Sequence, residues 1–263
     1  VLIQKLYVLP NDRLNIYDDL VDRGIYNFTD NKRHQIRIVV TDFSKNSSVL
    51  SFYVTGTQPF PAAGSEDENK EHIVMPYSRN NRFLAKDVSV SIPSGALYDT
   101  LFFKYSRSPG SQEMFSDVHH IHDIYTPLHK SYTLTIRPQR IPEGLESKML
   151  IVQNGTNNRK IPVTGRWVDG SVTAELVSFG DFYIGADTTP PLITPVGISQ
   201  GADLSGRELM RFRITDNFSG IGSWEPVIDG RWALFEYDQK NNQLIDRFDP
   251  ERLSKGSKHT LAL

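Results

Sequence analysis

Ile36-Arg-Ile38-Val-Val40-Thr-Asp42-Phe-Ser44-Lys-Asn46-Ser-Ser-Val-Leu50-Ser-Phe52-Tyr-Val54 sets apolar side chains at every second position on both sides of a polar run. In extended backbone, residues two apart share one face, so this spacing predicts two strands folded back on each other across 42–46. The same period returns in Val88/Val90/Ile92, Tyr132/Leu134/Ile136, Val172/Ala174/Leu176 and Phe212/Ile214. An alternation spread over the whole length reads as an all-β chain built of tandem immunoglobulin-like β-sandwich domains. One stretch differs: in residues 13–23, Leu14, Tyr17 and Val21 stand about a helical turn apart with Gly24 behind them, which predicts a short helix capping a sandwich.

Residues 56–72 carry Pro59, Pro61, Gly64 and the acidic Glu66-Asp-Glu68, with no period that would bury a face. They place a linker over 58–80, with solvated carboxylates. A second boundary falls at Asp187-Thr-Thr-Pro-Pro191, where the prolines hold the preceding backbone extended after the strand-like Phe182-Tyr-Ile184. The expected units are a partial immunoglobulin-like sandwich over 1–57, a central β-sandwich over 81–187 and a C-terminal immunoglobulin-like unit over 188–263. His34-Gln-Ile-Arg-Ile38 parallels His259-Thr-Leu-Ala-Leu263, and Val40-Thr-Asp42-Phe-Ser44 parallels Ile214-Thr-Asp216-Asn-Phe-Ser219, so the outer units read as two copies of one design. In the second copy, Asp229-Gly230 fits a tight hairpin whose central residues need positive φ, and Asn241-Asn242 a further reversal. The chain opens on Val1 without a leader-like stretch and stops at Leu263 inside a strand-like run. The expectation is a fragment or processed product with incomplete outer sandwiches.

Lysine and arginine total 29 against 31 aspartate and glutamate, a net charge of −2 that offers no general field for nucleic-acid phosphates. No apolar run approaches the ~20 residues of a membrane-spanning helix. Cysteine is absent, which removes disulfides, thiolate metal sites and a cysteine nucleophile. A hydrolase elbow, a phosphate-binding glycine loop, a His-Glu-x-x-His helix and a dinucleotide fingerprint are missing as well.

Four of the seven histidines crowd into Val118-His119-His120-Ile-His122-Asp123-Ile-Tyr-Thr-Pro-Leu-His129. On a strand His120 and His122 would share a face, the arrangement by which imidazoles hold zinc; the competing reading is hydrogen-bonded loop histidines. A catalytic zinc needs a third ligand and a base that no spacing supplies, so no catalytic, cofactor-binding or metal-ligating residue is assigned. Asp42, Ser44, Asp216 and Ser219 suit either a calcium loop or, more simply, turns in which short polar side chains bond their own backbone. Trp167, Trp224 and Trp232 suit either a sugar-stacking platform or burial in sandwich cores.

Ile3-Gln-Lys-Leu-Tyr7, Gly24-Ile-Tyr-Asn-Phe28 and Asp30-Asn-Lys-Arg-His34-Gln-Ile-Arg37 resemble the sandwich that follows the catalytic domain in large lysostaphin-type zinc metallopeptidases of anaerobic Gram-negative bacteria. So do His120-Ile-His122-Asp123 through His129, and Asp216-Asn-Phe-Ser-Gly-Ile221 through Ile228-Asp-Gly-Arg-Trp232, and together these cover nearly the whole chain. Val90-Ser-Ile-Pro-Ser-Gly-Ala-Leu97 is similar to the start of the β-sandwich found in ankyrins and netrin receptors. Some relatives of that sandwich cleave themselves at a His-Ser or His-Thr bond, but Val177-Ser-Phe-Gly180 has no histidine before Ser178.

The peptidase family cuts peptide cross-links of peptidoglycan with a zinc held by His-x-x-x-Asp and a later His-x-His. Here His119/Asp123 and His120/His122 match those spacings but overlap within one segment, so they do not supply separate strands around one metal. The resemblance therefore implies a non-catalytic accessory region that positions or regulates a peptidase domain, with its zinc, upstream of Val1. It implies peptidoglycan or envelope glycans as partners and a periplasmic or outer-membrane-associated setting. Two other readings compete: an independent adhesion or glycan-binding module, and a metal-dependent hydrolase using the histidine cluster.

Overall fold

The structure is a computed structural model that describes residues 7–263 apart from 27, 57–71, 164, 250 and 255. It is nearly all β. The first hairpin pairs β1 (Arg33–Thr41) with β2 (Ser47–Thr55), with Ile36 opposite Phe52 and Ile38 opposite Leu50. The turn forms where Asp42 can hold it: its two carboxylate oxygens accept the backbone N–H and side-chain amide of Asn46 at 2.8 and 2.9 Å, while Lys45 takes φ 67°. Leu50, Phe52, Val39 and Tyr53 stay exposed, because a two-stranded sheet has no second layer to cover them.

The central unit contains β3 (Ile73–Met75), β4 (Asn81–Ala85), β5 (Val88–Ile92), β6 (Leu101–Phe103), β7 (Tyr105–Ser108), β8 (Val118–Ile121) and β9 (Tyr132–Ile136). It continues with β10 (Met149–Asn154), β11 (Lys160–Val163), β12 (Arg166–Val168), β13 (Ser171–Leu176) and β14 (Gly180–Ala186). Two five-stranded sheets, ordered β12-β13-β9-β5-β4 and β11-β10-β14-β8-β7, enclose one core, and β3 pairs with β6 beside them. The period-two positions point where the sequence places them: Val90, Ile92, Tyr132, Leu134, Ile136 and Val172 are fully buried against Ile151, Phe179, Phe182 and Ile184. Each such side chain removed from water contributes about 1.5–3 kcal/mol, which makes this the largest core of the molecule.

The C-terminal unit holds β15 (Leu192–Pro195), β16 (Leu209–Thr215), β17 (Val227–Ile228), β18 (Arg231–Trp232), β19 (Glu236–Asp238), β20 (Gln243–Arg247) and β21 (Leu261–Ala262). Their orders, β15-β16-β20-β19 and β18-β17-β21, give the four-plus-three strands of an immunoglobulin-type sandwich. Asp229 and Gly230, at φ 51° and 75°, make the tight turn between β17 and β18, and Asn242 at φ 53° helps reverse the chain into β20.

Two expectations are corrected. Residues 13–23 form no helix: beyond a 3₁₀ turn over Asp22–Gly24, they run irregularly with Leu14, Ile16, Leu20 and Val21 in solvent. Asp19, Asp22 and Arg23 take left-handed φ of 52°, 46° and 57°, which interrupts any helical run. The span 58–80 is also too long for a linker. Its residues 58–71, with the acidic run, lie outside the described residues, but Ile73–Met75 is a strand, Met75 is buried in the central core, and the Tyr77 carbonyl accepts the Gly95 N–H at 2.8 Å. A three-residue apolar stretch beside a Pro- and Glu-rich run is too short to show a period.

Candidate functional site

The histidine segment is divided by the alternation of β8. His119 faces inward beside Phe182 on the neighbouring strand, while His120 faces outward opposite Asp181. His119 is 1% exposed; its Nδ1 lies 3.0 Å from the Tyr105 hydroxyl and its Nε2 has no partner. Burial holds the His119 imidazole below its ordinary pKa and pushes the Tyr105 hydroxyl above its own. His122 lies past the strand end at φ 51°, so it does not share His120's face. Its Nδ1 accepts the Lys104 N–H at 3.3 Å, its ring packs against Phe103 and Phe179, and burial lowers its pKa. His129 stacks on Tyr98 at 3.6 Å and donates to the Asn11 carbonyl at 2.8 Å. The four rings therefore point to four different environments, and among the described residues no three His, Asp or Glu side chains gather around one point.

His120 has partners that lie far away in sequence. Asp181 Oδ1 is 2.7 Å from His120 Nδ1, and since a carboxylate only accepts, Nδ1 carries the proton. Nε2 of the neutral ring is then free to accept, and Ser108 Oγ stands 2.9 Å from it. Strand order explains the meeting: β14, β8 and β7 are neighbours, His120 sits directly across from Asp181, and Ser108 is diagonal to it. A Ser–His–Asp chain of this kind can polarise a hydroxyl. Acyl transfer also needs N–H donors aimed at a developing oxyanion.

Asp42 and Asp216 act as turn-formers, as the simpler reading of their loops has it. Asp216 Oδ2 accepts the N–H groups of Phe218 and Gly220 at 2.9 and 2.8 Å. The Ser219 N–H donates to Asp187 Oδ2 at 2.9 Å, linking the C-terminal unit to the end of β14. The three tryptophans form no single platform. Trp167 packs on the central core, whereas Trp224 donates Nε1–H to the Phe235 carbonyl at 3.0 Å and leans on Tyr237. Trp232 is 62% exposed in the same unit.

A cavity of about 600 Å³ opens in the C-terminal unit, between β19–β20 and the Asp229–His259 side. On β20, Leu244 and Asp246 point to the core face, opposite Phe212 and Met210. Asp246 is 7% exposed and its side chain forms no hydrogen bond or ion pair among the described residues; burial pushes its carboxyl up to about 6 against the opposing pull of the Arg252 charge. At the rim, His259 Nδ1 donates to Asp229 Oδ2 at 2.6 Å, which raises the imidazole pKa and lowers that of the carboxyl. Sequence reasoning missed Ser108, Asp181 and Asp246. The first two carry no local signal, but Asp246 had one: in Leu244-Ile-Asp246 the alternation puts a carboxylate where an apolar residue belongs.

Residues 72–187 match the family model of the Zu5-like domain. The matched stretch is the central sandwich from β3 to β14, it contains Ile92-Pro-Ser-Gly-Ala-Leu97, and it covers less than half of the chain. No curated protein matches the chain.

Proposed function

We propose that this chain is a non-catalytic accessory region of a secreted cell-wall zinc metalloendopeptidase, holding a peptidase domain in place against its substrate. The observation that carries the reading is that the central sandwich grips a segment from each side. Asn11 donates Nδ2–H to the Leu97 carbonyl at 2.7 Å and its N–H to Tyr98 at 2.9 Å, while His129 holds the Asn11 carbonyl. On the other side Phe218 packs on Val118, Leu150, Val152 and Tyr183, and Asp187 holds Ser219. Contacts of this kind suit a stiff spacer, and the family-like phrasing of the outer units supplies the peptidase, the envelope setting and the zinc in a separate domain. Mass and N-terminal sequence of the native product from envelope fractions test this. A polypeptide extending before Val1 into a zinc-peptidase domain is expected, and a product with no such domain overturns the reading.

An independent glycan-binding or adhesion module is the second reading, favoured by exposed Trp232 and half-exposed Trp224 in one unit. Co-sedimentation with peptidoglycan sacculi and a glycan array separate the two. A signal on isolated sugars that Trp224→Ala abolishes supports the module.

A further inference from the structure

We propose that Ser108 is a nucleophile that takes up an aliphatic acyl group from an activated ester or thioester, with His120 as its base and Asp181 as a positioning residue. The reaction modifies the chain itself, and the argument does not rest on the peptidase reading. Three conditions for a reactive hydroxyl meet on the outward face of β7, β8 and β14. The first is the proton path: Asp181 keeps the His120 proton on Nδ1 at 2.7 Å, so Nε2 offers its lone pair to the Ser108 hydroxyl at 2.9 Å. The second is access. The side chains of His120 and Asp181 are 35% and 45% exposed, and β7 is an edge strand of its sheet, so an acyl donor can approach Ser108 from the open side. The third is an apolar neighbour for the acyl chain. Val118 stands directly across from Ser108 and belongs to the cluster of Leu150, Val152 and Tyr183 on which Phe218 of the C-terminal unit packs.

The arrangement also sets the class of donor. General-base assistance contributes about 10²–10⁴-fold, and a peptide bond needs oxyanion stabilisation in addition. A donor whose leaving group departs easily, an aryl ester or a thioester, depends less on that help. In the step, Ser108 Oγ attacks the carbonyl carbon, and the new Oγ–C bond forms as the bond from that carbon to the leaving oxygen or sulfur breaks. The Oγ proton passes to His120 Nε2, where Asp181 stabilises the imidazolium, and on to the leaving group. The acyl group remains on Ser108 as an ester.

Intact mass and peptide mapping of the whole chain, after incubation with p-nitrophenyl butyrate or with the butyryl thioester of N-acetylcysteamine, test the proposal. A single butyryl group on Ser108 is expected. Labelling by the thioester points to thioesters as the source, and labelling by the aryl ester alone to oxygen esters. Ser108→Ala should lose the adduct while melting close to the parent, and His120→Gln should slow labelling at least about a hundredfold. Asp181→Asn should slow it at least about tenfold and, in NMR spectra of the ring nitrogens, move His120 from the Nδ1–H towards the Nε2–H form, which an aspartate of purely structural weight would not do. No adduct on Ser108 with either donor, or labelling of Ser108 that keeps the parent rate in His120→Gln, overturns the proposal.

Discussion

The central sandwich and the C-terminal unit share an all-β plan but treat their cores differently. In the central unit every inward position of β5, β9 and β13 is apolar, and Phe179 closes the space among Tyr132, Phe103 and His122. The C-terminal unit has a smaller buried cluster and admits Asp246 to the face that holds Leu244. One core is filled for stability, while the other keeps a cavity and a charge at a cost in stability.

Truncating the filled core has the largest effect. Phe179→Ala should destabilise the central sandwich by about 3–5 kcal/mol, read by chemical denaturation, because the rigid sheets around it cannot collapse into the space. A loss below about 1 kcal/mol would mean that this core is looser than its burial indicates.

The two units should also respond to pH with opposite signs. Asp246 keeps its proton up to about 6 when folded but releases it near 3.8 when unfolded, so folding takes up a proton in that window and stability falls as pH rises through it. The effect amounts to at most about 3 kcal/mol, so Asp246→Asn should stabilise the C-terminal unit by up to that amount near neutral pH and by almost nothing near pH 4. His259, raised by Asp229, adds stability that is present below 6.5 and lost as pH rises through its higher folded value. Asp229 adds stability that is present above 3.8 and lost as pH falls through its lowered value. His119 and His122 act the other way: held neutral by burial, they bind fewer protons folded than unfolded, so the central sandwich weakens as pH falls below 6.5. Moving from about pH 7.5 to about pH 5 should therefore lower the melting of the central unit and raise that of the C-terminal unit, followed by unit-specific probes in thermal unfolding.

Smaller effects follow where single polar contacts are removed. Asn11→Ala should cost about 1–2 kcal/mol and free the 7–13 segment for proteolysis, since it leaves the Leu97 carbonyl without its 2.7 Å donor. Ser108→Ala should change stability by less than about 1 kcal/mol, its bond to His120 being partly solvated; a larger loss would give the outward Ser–His–Asp chain a structural weight that its exposure does not predict.

The strands were legible because burying one face of a sheet leaves a period-two record, and the hairpins because Asp42–Asn46, Asp229-Gly230 and Asn242 have the chemistry their turns require. The 13–23 stretch misled for the complementary reason. Helical spacing in Leu14, Tyr17 and Val21 predicts a helix only if one continuous face is covered, and here Leu14 and Val21 stay in solvent while Asn11 upstream ties the chain to the central sandwich. The site was less legible than the fold. Asp181 lies 61 residues from His120 and meets it only because β14 and β8 are neighbours, an order no local pattern records. His119 and His120 looked like a cluster in sequence, but adjacent residues on a strand face opposite ways.

Peptide-resolved hydrogen exchange on the intact chain tests the central claim, a filled scaffold carrying weaker flanking units. Exchange is expected to be slowest in β5, β9, β13 and β14, intermediate in β16 and β20, and fastest among the strands in the uncovered β1–β2 hairpin. Equal protection of the hairpin and the central strands, or a C-terminal unit that outlasts the central one, would contradict it.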